Sequence, residues 1–183
     1  MLEVQQVFRK HFGHPPTYTV QAPGQIDLLG NPTDSNQGLV LAMAMDHAAF
    51  VSTSARTDGR VQLISSLAPT PESFSVLDDA RSTAAFWTDS IKSTLSALRQ
   101  RQAHCSGFNA AIHESIPADT TPVNRAALTV ATALAVRELH PFTLTPTGVT
   151  VPPRRAKDGS LPPLSTAEKI EMAKVCQIGR AHV

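Results

Sequence analysis

The chain is poor in the features that mark out whole classes of protein. Its two cysteines, Cys105 and Cys176, have no partner spacing. That excludes a disulfide framework and predicts reduced thiols in a cytoplasmic protein. Trp87 and Tyr18 are alone of their kind, and no basic run alternates with aromatic residues. With a formal net charge of +1, nothing favours nucleic acid or an anionic membrane as a partner. No apolar stretch approaches the ~20 residues of a membrane span. The opening stretch MLEVQQVFRKHFG is amphipathic and mixed in charge, without the apolar core of a signal sequence. Seven histidines are scattered; His11 and His14 are close, but Gly13 and Pro15 break the element between them. No metal site is therefore expected, since structural zinc needs several convergent ligands. No internal repeat is visible.

What is present has a globular balance. Apolar residues make up 42% of 183 and charged residues 17%, which fits one domain with ample length for a core. Val4, Val7, Phe8, His11 and Phe12 recur at helical spacing, and Gly13 with Pro15 and Pro16 ends that helix. Tyr18 to Ala22, Gly38 to Met45, Ala48 to Ser54 and Arg60 to Ser66 read as strands, with a turn at Asp58-Gly59. Residues 67–82, with Pro69 and Pro71, read as an exposed connection. Trp87, Ile91, Leu95 and Leu98 mark a helix. Gly107 to Ile112 alternates like a half-buried strand. A loop around Pro117 to Pro122 leads into the strongest helix, Arg125 to Leu139, which carries little polar surface. Thr147 to Pro163, rich in proline, reads as a surface excursion. Ser165 or Thr166 caps a last helix running to Gln177.

The most informative stretch is APGQIDLLGNPTDSNQG, from Ala22 to Gly38. Its glycines, prolines and short polar side chains lie between apolar runs, a pattern that gathers polar groups in one small space. It resembles the first signature of the galactokinases, the sugar branch of the GHMP small-molecule kinases, roughly APGRxNLxGEHTDYNxG. A second stretch, IPADTTPVNRAALTVA from Ile116 to Ala131, resembles their nucleotide loop, roughly IPxGxGLSSSAxLxVA, in register and without a gap. The stretches around LVLAMAMDHAAF, SGFNAAIHESIP and LSTAEKIEMAKVCQ extend the resemblance from Phe8 to Gln177.

The resemblance implies an α+β fold, that of the GHMP-kinase N-terminal domain (ribosomal protein S5 domain 2-like), with a mixed or antiparallel sheet packed on helices. Residues 1–177 then form part of that domain, with the sugar signature over 18–45 and the ATP-loop region over 114–139. It implies transfer of the γ-phosphoryl of ATP, with Mg²⁺, to the anomeric hydroxyl of galactose, by a cytoplasmic monomer. The family arginine that offsets charge at the transferred group falls on Gln25, an uncharged amide. The family Glu and His that hold sugar hydroxyls fall on Asn31 and Pro32. Asp34 matches the family's sugar-binding aspartate, with turn capping as its plainer alternative. Trp87 matches a tryptophan close to adenine, with a core aromatic at the helix entry as the alternative.

The nucleotide loop departs furthest. Such loops use glycine because backbone N–H groups must approach phosphate closely. Here the glycine positions carry Asp119 and Thr121, with Thr120 between them, and the serine triplet is Val123, Asn124 and Arg125. Asp119 repels phosphate, Thr121 adds a β-branched side chain, and Pro122 removes a donor. Arg125 returns some positive charge. The family's catalytic aspartate lies beyond the position of Gln177, and residues 178–183, IGRAHV, depart from the family's continuation and read as a non-native tail. Three readings follow: part of a galactokinase inactive by itself, a non-catalytic sensor of sugar or nucleotide, or a truncated product that does not fold stably.

Overall fold

The computed structural model describes residues 2–29, 39, 41–66, 68–78, 86–116 and 121–181. The order is α1 (Leu2–Phe12), β1 (Tyr18–Leu29), β2 (Leu41–Ala55), β3 (Arg60–Ser65), β4 (Ala68–Ser75), α2 (Phe86–Gln100), β5 (Phe108–Glu114), α3 (Thr121–Leu139), β6 (Thr143–Thr145), β7 (Gly148–Thr150) and α4 (Thr166–Ala181). The main sheet has the order β1-β2-β5-β3-β4, and β6 and β7 form a separate hairpin. Within the main sheet only β3 and β5 pair in parallel. The expected α+β architecture with a mixed sheet is what the chain adopts.

Helix α1 covers one face. Val4 and Phe8 are fully buried and cluster with Ile64 and Ala111, with Val7, Phe12 and Phe50 packed around them. The apolar stripe read from the sequence is thus the contact stripe. Ser66 and His113 meet through Oγ and Nδ1 at 2.9 Å, and Glu3 Oε2 lies 3.5 Å from His113 Nε2, fixing the first turn of α1 to the sheet. On the other face α3 lies over β1 and β2, and α2 and α4 pack on α3 and on each other. That side holds the main core, including Leu63, Ile91, Leu95, Leu98, Phe108, Ile112, Leu128, Val136 and Val175. A capping box starts α4: the Glu168 amide donates to Ser165 Oγ (3.2 Å) and the Ser165 amide donates to Glu168 Oε2 (2.9 Å).

Several expectations are corrected. The signature does not leave the sheet at Ala22; β1 continues to Leu29, and its partner is one strand, β2, rather than two. Between the pairs Pro23↔Ala48 and Gln25↔Ala44 the register slips, so that Met45, Asp46 and His47 stand opposite Gly24. A bulge absorbs the residues that look like strand breakers. Residues 68–75 form β4 rather than an exposed connection. Pro69 and Pro71 are tolerated because β4 is an edge strand and their missing amides leave no central ladder bond unmade. Strand β5 is buried on both faces rather than one, since α1 covers Ala111 while the helical layer covers Phe108, Ala110 and Ile112.

Helix α3 begins at Thr121, not Arg125. Pro122 falls in its first turn, where an amide has no intrahelical acceptor and proline is at home. The proline-rich excursion opens with β7, which pairs back on β6. Its later part is tied back by Arg155, which pairs with Glu138 at 3.0 Å and stacks 4.8 Å from the Tyr18 ring centroid. Helix α4 runs past Gln177 to Ala181. Both cysteines are unpaired, and burial pushes Cys105 up to about 11 and Cys176 up to about 12.

Candidate functional site

The described part of the first signature, residues 22–29, runs along β1, which pairs with β2, and β2 pairs in turn with β5, which ends at Glu114, two residues before the second signature begins. Ser115 locks this junction. Its amide donates to Ala48 O (3.0 Å), the Ala48 amide donates to Ser115 Oγ (2.9 Å), and that hydroxyl lies 3.3 Å from Ala48 O. Ala48 is itself the partner of Pro23. Ile116 is buried immediately beyond. Helix α3, from Thr121, packs against β1 and β2.

The end of the β1–β2 ribbon projects past the helical cover. Ile26, Leu28, Leu29, Leu41 and Met43 are all exposed there. Gln25 is exposed as well, and its amide Nε2 donates to Asp27 Oδ1 at 3.2 Å. Gln25 and Asp27 alternate on one face of β1, so the position that would bear an arginine holds an amide spent on a neighbouring carboxylate. Trp87 lies in the first turn of α2 and packs, partly buried, against the main core. The Thr88 and Ser90 hydroxyls beside it are buried without hydrogen-bond partners.

Arg125 sits part-buried in the second turn of α3. Thr121, Val123 and Asn124 are backbone of its first turn, between Arg125 and the loop. The sites read at Asn31, Pro32, Asp34, Asp119 and Thr120 lie outside the described residues.

One largely buried carboxyl escaped the sequence reading. Glu114 ends β5 with the same strand parity as Phe108, Ala110 and Ile112, which belong to the main core. Its partner across the ladder is Ala49, whose own partner is Ala22, both buried. Its carboxyl is therefore carried on the helix-facing side, two residues before the loop. Glu114 Oε1 is buried and has no hydrogen-bond partner. Burial raises its pKa to about 6. The available signal was this parity: a carboxylate on the apolar register of a strand.

The shift fixes a pH dependence. The folded carboxyl binds its proton more tightly than the unfolded one, so its contribution is complete below the ordinary value near 4.5 and is lost as pH rises to about 6. The loss is expected to be about 1–2 kcal/mol, part of the penalty being screened by solvent. His140, lowered by burial and by His104, works in the opposite sense. Comparing the denaturation midpoints of Glu114→Gln and the parent chain between pH 4 and 7 isolates the Glu114 part. Parallel curves would contradict it.

Gln25 is an uncharged amide. Among the described residues no group of three or more His, Cys, Asp or Glu side chains could hold a metal ion. No helix among them is long and apolar enough to cross a membrane.

Residues 6–55 match the model of the galactokinase galactose-binding signature. The chain is 31% identical over 137 residues to galactokinase from Chloroflexus aurantiacus, an alignment covering 75% of this chain and 35% of that protein. It is 33% identical over 138 residues to galactokinase from a Roseiflexus species, covering 75% and 35%. The matched part is thus about a third of the length of these curated relatives. Among solved structures, Lactococcus lactis galactokinase complexed with galactose superposes with a TM-score of 0.76 at 18% identity, covering 99% of this chain and 42% of that one. Methanococcus jannaschii mevalonate kinase superposes with a TM-score of 0.51 at 17% identity, covering 66% and 39%.

Proposed function

The chain is a relative of the galactokinases and matches their N-terminal portion, and from that premise we propose that it supplies the sugar-binding side of a galactokinase-type cleft, with galactose as ligand, without performing phosphoryl transfer by itself. One observation carries this reading. The first part of the sugar signature, residues 22–29, lies on a ribbon whose second strand Ser115 ties to the end of β5, next to Ile116 where the second signature begins, an arrangement that supports a cleft built from both signatures.

The activity proposed for the whole protein is ATP-dependent phosphorylation of the anomeric hydroxyl of galactose, in the cytoplasm, by a monomer. The residues described here argue against that step occurring on this chain. An uncharged Gln25 cannot offset charge developing on the transferred group as a guanidinium would. Its engagement with Asp27 also favours the second reading, a sugar sensor that does not turn over.

Asp34 is the proposed anchor for sugar hydroxyls, with Asn31 assisting and Pro32 unable to replace the histidine it displaces. Removing a hydrogen-bonding carboxylate from a sugar site leaves hydroxyls unpaired and costs roughly 1.5–3 kcal/mol. Asp34→Ala is therefore expected to weaken galactose binding by about tenfold or more. The check is the rise in melting temperature with galactose, expected in the parent chain and largely absent in the variant. An equal rise in both proteins would refute the role of Asp34.

A further inference from the structure

We propose that Ser115 is a positioning residue whose hydroxyl fixes the register of the β1–β2 ribbon, and that galactose affinity depends on it. The inference rests on the galactose reading above. It deepens that reading by naming a residue outside the matched stretch, residues 6–55, on which binding depends.

The ladder between β2 and β5 ends at Ala49↔Glu114. One residue further on, Ser115 still meets Ala48, but by an unusual exchange. In a regular hydrogen-bonded antiparallel pair, two residues trade backbone amides and carbonyls. Here the Ser115 amide donates to Ala48 O at 3.0 Å, while the Ala48 amide donates to the Ser115 hydroxyl at 2.9 Å. The side chain acts as acceptor in place of the Ser115 carbonyl. The same hydroxyl donates back to Ala48 O at 3.3 Å. Ala48 is fully buried, so without that acceptor its amide becomes a buried donor in need of a partner.

Both backbone polar groups of Ala48 are spent on Ser115, and none is left for β1. The residue opposite on β1 is Pro23, which has no amide to offer. The ribbon is thus held at this rung from the β5 side. The next pair is Gln25↔Ala44, across the slip that sets Met45, Asp46 and His47 against Gly24. Past that slip, among the described residues, β2 pairs with β1 alone. Ser115 therefore bonds the ribbon to the sheet at the last rung before its register shifts. A strand that moves by one residue carries its side chains to the opposite face. Holding Ala48 decides which way the residues of the ribbon point, and with them the groups that the signature presents to a sugar.

The test removes the hydroxyl and then restores it. Galactose is titrated by calorimetry at neutral pH into the full chain, into Ser115→Ala and Ser115→Val, which lack the hydroxyl, and into Ser115→Thr, which keeps it. Ile64→Val, in the buried cluster under α1, controls for a general loss of stability. An unpaired buried amide shifts an equilibrium by roughly five- to a hundredfold. Galactose binding about fivefold weaker or more is expected in the alanine and valine variants. The threonine variant and Ile64→Val are expected within about twofold of the parent. Hydrogen exchange at the Ala48 amide should speed up in the same two hydroxyl-free variants and not in the others. Affinity within twofold of the parent in both would overturn the proposal while leaving the galactose reading intact. An equal loss in Ile64→Val would also overturn it, because the effect would then be stability and not register. If the parent chain itself binds no galactose, the galactose reading is refuted and the positioning role falls with it.

Discussion

Gly107→Ala is expected to remove a large share of the chain's stability. A Cβ at this buried position would lie 2.5 Å from Arg60 O and 2.7 Å from Arg60 N, with Gly59 C at 3.1 Å. These are backbone atoms at the start of β3, and neither side has room to yield. The Gly107 carbonyl accepts from the Arg56 amide at 2.8 Å, and the Gly59 carbonyl accepts from the Val76 amide at 2.9 Å. The clash falls at the start of the parallel β3–β5 pair, whose first rung is Val61↔Phe108. Overpacking in a well-filled interior costs about 1–3 kcal/mol and more where backbone must move. Here about 3 kcal/mol or more is expected, against a whole stability of roughly 5–15 kcal/mol for a domain. Gly59→Ala is the control, since its Cβ would meet nothing within 4 Å and only its φ of +69° resists substitution. A denaturant midpoint for Gly107→Ala equal to that of the parent would contradict the close approach.

Phe8→Ala is expected to lose about 3–5 kcal/mol, the range for truncating a buried aromatic. Phe8 is fully buried on the sheet-facing side of α1, its ring tilted against that of Phe12 with centroids 4.7 Å apart, and seated with Val4 against Ile64 and Ala111. This cluster is small and separate from the main core, so few neighbours can collapse into the void. Without it α1 has little left to hold it to the sheet. Lys10, exposed on the same helix, should tolerate alanine within about 0.5 kcal/mol. Denaturant titration of both variants checks this contrast, and equal midpoints would show that α1 is not docked as described.

The same cluster shows why some elements could be read from sequence and others could not. Helices α1 and α3 announce themselves because apolar spacing is a local property: Val4, Val7 and Phe8, or Ala127, Leu128, Ala131 and Ala135, carry their own period. The continuation of β1 through Pro23 and Gly24 is not local. It depends on β2 supplying three residues opposite Gly24, which only the partner strand reveals. Pro122 misled for a similar reason, since a proline that breaks a helix interior also begins a helix. Strand β4 was hidden by prolines that are harmless only because the strand lies at an edge.

The frame of both signatures was readable, and the described residues Gln25, Trp87 and Arg125 stand on β1, α2 and α3. Glu114 was missed because motif positions were read one by one, without asking which face of β5 each side chain takes. That one question separates a solvated charge from a buried one.

The central claim is that a sugar-binding cleft is kept while its phosphoryl-transfer chemistry is not. Galactose titrated into the chain in a calorimeter, followed by MgATP and an assay for released ADP, tests it most directly. The account predicts a saturable one-site isotherm for galactose and no ADP above background. Heat indistinguishable from dilution at every galactose concentration, or sustained galactose-dependent release of ADP, would contradict it.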